Sequence, residues 1–159
     1  MLEQLTEENK WYCPKCKQHQ LAKKKIEIYT CPEILIIHLK RFKNNSKLRN
    51  LVKFPIEGLD MGKYIHYKEN ENENNDYIYD LFAVSNHDGD LNGGHYYAYC
   101  KNIYENKWFE FNDSCVSEIN DNNIVSKSAY VIFYKKRNSK YKNIEELYNK
   151  PFKEININI

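Results

Sequence analysis

Residues 93–113 read Gly-Gly-His-Tyr-Tyr-Ala-Tyr-Cys, a polar gap, and then Lys-Trp-Phe-Glu-Phe-Asn-Asp. Aromatic residues alternate on both sides of the gap, the pattern of two strands joined by a turn over residues 102–107. A hairpin holds its two ends side by side. His95 opens the first strand and Asn112 with Asp113 closes the second, so antiparallel pairing predicts an imidazole beside an amide and a carboxylate. That juxtaposition suits a histidine acting as general base, whose second ring nitrogen must be held by an acceptor that fixes the tautomer. Asn or Asp can each do this. Gly93 and Gly94 let the backbone turn tightly and let a substrate chain pass close to His95. Taken singly, the same histidine also reads as a core residue at a strand end followed by a turn. The neighbours favour the chemical reading.

Other stretches fall in order around the hairpin. Tyr12-Cys13-Pro14-Lys15-Cys16 contains two cysteines at the spacing with which thiolates grip one face of a tetrahedral zinc ion. After it come Ile34-Leu35-Ile36-Ile37-His38-Leu39-Lys40-Arg41-Phe42, then Phe54-Pro55 and Leu59-Asp60, and finally Ala129-Tyr130-Val131-Ile132-Phe133-Tyr134. Together with the hairpin motifs, these segments resemble the landmarks of the ubiquitin-specific proteases, in that family's order. The resemblance covers residues 12–135, and several ordered motifs are more specific than any one alone.

The resemblance implies an α+β fold. It would be mostly antiparallel sheet, the palm of a papain-like cysteine protease with part of a zinc-binding finger sheet and few short helices. Residues 12–30 would be finger strands and residues 31–135 the palm with its histidine box. Residues 68–76 would form a surface insertion and residues 136–159 a tail, the whole being the C-terminal part of one catalytic domain. The implied reaction is thiol-dependent hydrolysis of the bond after the C-terminal glycine of ubiquitin. His95 would be the general base and Asn112 its holder. Asp113 would stand behind Asn112 or replace it, since the family uses Asn or Asp at that position.

The family's nucleophilic cysteine belongs to a box near the start of the catalytic domain, and no segment here resembles it. The chain is therefore expected to need an N-terminal half and to be inactive alone. Among its own cysteines, Cys31 and Cys100 read as core thiols. Cys115 is near the end of the hairpin but too close to Asn112 to face the opposite ring nitrogen of His95. Zinc is the implied structural cofactor. Cys13 and Cys16 would supply half of its site, a second cysteine pair lying upstream, with His19 a possible substitute and a metal-free turn the plain alternative. Nothing around the pair resembles a thioredoxin motif.

The resemblance also places residues 85–92, including Asn86 and His87, as a loop over the groove that takes the ubiquitin tail. That tail ends in two glycines, and only a narrow channel selects them. Gly93, Gly94 and Tyr96 are suited to wall it, while Asp88 and Asp90 offer charge for basic residues of the tail. His87 reads as shaping the loop, or as a solvent-exposed loop histidine.

Elsewhere the sequence predicts a central strand, buried on both faces, at the apolar run 34–39, with His38 a core histidine. Residues 43–50 read as a basic loop, 77–84 as a strand, 120–126 as a brief helix, 143–150 as an amphipathic helix and the final Ile-Asn-Ile-Asn-Ile as a strand without an assigned partner. The asparagine pairs, Asn44-Asn45 among them, read as compositional bias. With 159 residues, 42% apolar and 14% aromatic, the chain can bury a core.

A net charge of +2 implies neither a nucleic-acid nor a membrane partner, and no apolar run reaches the roughly 18 residues of a membrane span. Five cysteines with one tight pair argue against a secreted disulfide framework and for the cytoplasm or nucleus. Besides the protease, a non-catalytic ubiquitin-binding or scaffolding domain remains open. A zinc-ribbon nucleic-acid module is the remote third reading.

Overall fold

A computed structural model describes residues 2–65 and 77–139. The strands are β1 (Leu2–Gln4), β2 (Trp11–Cys13), β3 (Gln18–Gln20), β4 (Lys23–Lys25), β5 (Ile34–His38), β6 (Phe42–Lys43) and β7 (Ser46–Lys47). They continue with β8 (Leu59–Asp60), β9 (Ile78–Asp90), β10 (Gly93–Asn102), β11 (Lys107–Asn112), β12 (Cys115–Ile119) and β13 (Ala129–Lys136). Helix among the described residues amounts to two single 3-10 turns, Glu7–Asn9 and Asp121–Asn123. The architecture is mostly antiparallel sheet with almost no helix.

The main sheet has the order β12-β11-β10-β9-β13-β5, with β8 paired to β9 beside it. Small separate hairpins are formed by β2 with β3 and by β6 with β7, and β1 pairs with β4. The centre of the sheet is β9, flanked by β10 and β13. Its buried positions run Tyr79 and Leu81, then Val84 and Asn86. The phase changes because Leu81 and Ala83 oppose the consecutive residues Tyr134 and Phe133, so one extra residue of β9 is accommodated in a bulge. Without the bulge, strict alternation would turn Val84 and Asn86 to the face opposite Tyr79 and Leu81.

The core combines Tyr79, Leu81, Val84, Tyr99, Trp108, Ile124, Ile132 and Tyr134. Buried phenols need partners. Tyr134 donates to the carbonyl of Pro55 at 2.6 Å and Tyr79 to that of Pro32, which ties the two extended segments to the sheet. Burial raises the Tyr134 phenol to about 12. Residues 120–126 begin as the read helix, shortened to one 3-10 turn whose start is capped by the Asn120 side chain on the Asn122 backbone N–H at 2.9 Å.

The expectations for three segments are corrected. The apolar run 34–39 does not form the central strand: β5 pairs only with β13 and ends the sheet among the described residues. Leu35 and Ile37 pack on the core, while Ile36 is 58% exposed. His38 is exposed too and contacts the ring of Tyr130 edge-on at 4.7 Å, so it is no core histidine.

Residues 85–90 are not a loop, because β9 continues to Asp90 and turns through Leu91 and Asn92 into β10. Third, residues 43–50 contain a hairpin, and Asn44 and Asn45 form its turn at φ 49° and 61°. Asparagine tolerates this left-handed region, so the pair has a structural job. The readings for 68–76, for 143–150 and for the last strand lie outside the described residues.

Candidate active site

The site is built on the edge of β10 and the end of β11. Their register pairs Ala98 with Phe111 and Tyr99 with Glu110, which carries Asn112 alongside the start of β10. Alternation then puts His95, Tyr97, Tyr99, Glu110 and Asn112 on one face of the sheet. His95 Nε2 lies 2.6 Å from Asn112 Oδ1. With the ring nitrogen donating to the amide oxygen, Nδ1 is left as the unprotonated nitrogen. The ring is exposed, and Tyr97 stacks beside it at 6.3 Å between centroids with planes 19° apart. Asp113 occupies the turn into β12 with φ 51°, and the bond to His95 comes from Asn112.

Asn112 makes a second bond, from Nδ2 to Glu110 Oε1 at 3.2 Å. Sequence reasoning passed over Glu110. The available signal was its position two residues before Asn112 on the same strand face.

Gly94 and Gly89 are explained by what stands behind them. A Cβ on Gly94 would lie 2.3 Å from His87 Nε2 and 2.5 Å from the Asp88 carbonyl, so no other residue fits. Gly89, at φ 111°, meets Gly93 and Gly94 equally closely, whereas a Cβ on Gly93 would meet nothing within 4 Å. His87 is 4% exposed, which removes the reading of a solvent-exposed loop histidine. Its ring tilts against Tyr96 at 4.5 Å and lies near Tyr130 and Phe42. Lys47 donates to His87 Nδ1 at 2.9 Å and to its carbonyl. Burial first, and the Lys47 cation second, hold the imidazole below its ordinary pKa.

Tyr96, Gly94 and His87 thus share one face of the hairpin and His95 the other. A shallow depression on the His87 side is lined by Phe42, His87, Asp90, Gly94 and Tyr96. Asn86 is fully buried on the His95 side, its amide oxygen accepting from Ser126 Oγ at 3.3 Å. The acids named for the substrate tail have partners within the chain. Asp90 pairs with Arg49 at 2.9 Å and Asp88 accepts from Ser128 Oγ.

All five cysteines are free thiols. Cys100 lies on the strand face away from His95, and burial raises its pKa as it does that of Cys31. Cys115 is exposed and opposite Asn112 in the β11–β12 register. Cys13 ends β2 and Cys16 lies in the turn of the β2–β3 hairpin, where the Lys17 backbone N–H donates to the Cys13 carbonyl at 2.8 Å. The Cys13 thiol is held below its ordinary pKa, first by the Cys16 backbone N–H. A sulfur so placed favours the thiolate form that zinc requires. Among the described residues no group of three metal-ligating side chains forms, and His19 packs edge-on against Tyr12 at 5.3 Å. The two thiols stand at the Cys-x-x-Cys spacing that zinc sites use.

Comparison with known proteins gives one family throughout. The profile of the ubiquitin carboxyl-terminal hydrolases matches residues 2–134. Ubiquitin carboxyl-terminal hydrolase 10 of Arabidopsis thaliana is 45% identical over 138 residues, 84% of this chain and 14% of that protein. Ubiquitin carboxyl-terminal hydrolase 12 of Saccharomyces cerevisiae is 47% identical over 131 residues, 80% of this chain and 10% of that protein. Among solved structures, the SAGA Ubp8/Sgf11/Sus1/Sgf73 DUB module bound to ubiquitin aldehyde matches with a TM-score of 0.73 at 38% identity. That match covers 86% of this chain and 31% of the solved one. The chain therefore spans about one seventh or less of these two curated relatives and under a third of the solved chain. Across 133 of its 159 residues it belongs to the ubiquitin carboxyl-terminal hydrolase family.

Proposed function

We propose that this chain is the histidine-bearing half of a thiol-dependent deubiquitinase catalytic domain. The observation that carries the reading is the bond between His95 and Asn112, two side chains brought from 17 residues apart onto one sheet face. With Nε2–H donated to Asn112, His95 takes the proton of an incoming cysteine thiol at Nδ1 and later returns it to the leaving amine. Asn112 keeps the ring in the productive tautomer and orientation. The nucleophile is assigned to a segment outside this chain: Cys31 and Cys100 are partly buried, Cys13 and Cys16 belong to the β2–β3 turn, and Cys115, though exposed, lies opposite Asn112, on the side of the His95 ring that Asn112 already holds. Ubiquitin is the partner, its tail running along Gly93 and Gly94. The solved relative's complex with ubiquitin aldehyde supports that substrate class. Zinc, where bound, would crosslink the β2–β3 hairpin to a second ligand pair, with Cys13 and Cys16 holding two of its four positions. Five cysteines with one tight pair favour the cytoplasm or nucleus.

The test is intact-mass analysis after incubation with ubiquitin carrying a thiol-trapping C-terminus. The isolated chain should form no adduct, and a longer parent chain that includes the upstream segment should form one. A specific adduct on the isolated chain that His95→Ala abolishes would move the nucleophile to Cys115 and overturn the split assignment.

A further inference from the structure

The orientation of Asn112 is itself a chemical problem. An amide has an oxygen at one end and a nitrogen at the other, and either can face an imidazole. If the oxygen faces His95, Nε2 carries the proton and Nδ1 is the bare nitrogen that can accept one. If the amide turns over, its NH2 faces Nε2, the proton moves to Nδ1, and the ring cannot act as a base toward a thiol on that side. A holder that flips is no holder.

We infer that Glu110 is the positioning residue that settles this choice, an inference resting on the general-base role of His95 proposed above. Its Oε1 accepts from Asn112 Nδ2 at 3.2 Å while Asn112 Oδ1 engages His95 Nε2 at 2.6 Å. In the turned-over state the amide oxygen would face the carboxylate, which offers no hydrogen and repels it. The carboxylate therefore selects the amide orientation, and the amide selects the tautomer. The line Glu110, Asn112, His95 carries the preference across a single sheet face.

The other groups on that face do not compete for the amide nitrogen. From β9, Asp88 stands opposite His95 in the register but accepts from Ser128 Oγ. From β10, Tyr97 stacks on the His95 ring and Tyr99, opposite Glu110, is buried. From β12, Cys115 lies opposite Asn112 and Ser117 opposite Glu110. Glu110 is itself half-buried, so solvent does not freely replace it.

The decisive comparison places Glu110 substitutions in two backgrounds. With Asn112 present, Glu110→Leu should raise the share of the Nδ1–H tautomer of His95 several-fold, read by nitrogen-15 NMR of the full chain. In the parent protein it should lower kcat about fivefold with KM unchanged. With Asn112→Asp both oxygens accept and nothing needs orienting, so Glu110→Leu should then cost nothing or raise kcat by removing a repulsion. A merely structural Glu110 would cost the same in both backgrounds, and that result overturns the inference. So would an unchanged tautomer ratio in Glu110→Leu. Glu110→Gln is a second probe that preserves the side-chain shape; it presents oxygen or NH2 indifferently and should raise the same minor tautomer. A parent carrying His95→Ala that still turns over would reject the general-base reading, while the tautomer ratio decides the orienting role of Glu110 separately.

Discussion

His95 and Asn112 differ in what their loss should do. His95→Ala in the parent protein should lower turnover at least a thousandfold while leaving ubiquitin binding largely intact, because the proton carrier is gone. Near-normal turnover would sink the role. Asn112→Ala should cost about tenfold to a hundredfold, since the ring remains but its tautomer and orientation are free. A loss equal to that of His95→Ala would mean that Asn112 does more than orient. The two glycines before His95 separate cleanly as well. Gly94→Ala drives a Cβ into His87 and the Asp88 carbonyl and should destabilise the chain by about 1–3 kcal/mol, whereas Gly93→Ala meets open space. Urea midpoints of the two variants check this.

His87 gives a pH prediction at the same scale. Its folded-state pKa is depressed from the ordinary 6.5, so the unfolded chain binds the proton more readily. The contribution is therefore whole above about 6.5, declines as pH falls below that value, and levels off once the folded pKa is passed. His87→Gln should flatten this acid-side slope in a pH series of unfolding midpoints. An unchanged slope would assign it to other groups.

At the scale of strands, β5 and β9 exchange the roles their sequences advertise. Ile34 to Leu39 is an unbroken apolar run and reads as a central strand, yet periodicity cannot distinguish burial on two faces from burial on one with an apolar outer face. Ile36→Lys should thus change stability by less than about 0.5 kcal/mol, while Ile132→Ala, at 1% exposure in β13, should cost about 2–4 kcal/mol. Thermal or chemical unfolding of both variants tests the assignment. The centre belongs to β9, whose second half is polar enough to read as a loop. Asn86, His87 and Asp88 remain in a strand because Ser126, Lys47 and Ser128 supply side-chain partners from elsewhere in the sequence. Local pattern contains no record of such partners.

The hairpin of β10 and β11 was legible for the converse reason: alternation, turn and end residues all lie within residues 93–113, and the register follows from them. The Glu110 contact was not, since it depends on a rotamer and on the amide's choice of end.

Across the whole molecule, the described residues form one six-strand path with small two-stranded sheets beside it, and the proposed base and its proposed holder belong to a single hairpin within it. The His95–Asn112 pair is therefore assembled by a 17-residue loop closure rather than by docking of distant segments. One consequence concerns mass action. If the nucleophile is the one part supplied from outside, an upstream segment made as a separate polypeptide needs only to bind this chain, not to build the pair. Mixing the two should restore turnover along a saturating curve in either component. Its half-point would be the dissociation constant of the halves, and covalent linkage would remove the concentration dependence without changing the plateau. A hydrolase whose proton-handling parts arrive preassembled can thus be controlled by the supply of its other half, its rate set by association rather than by rearrangement within the site.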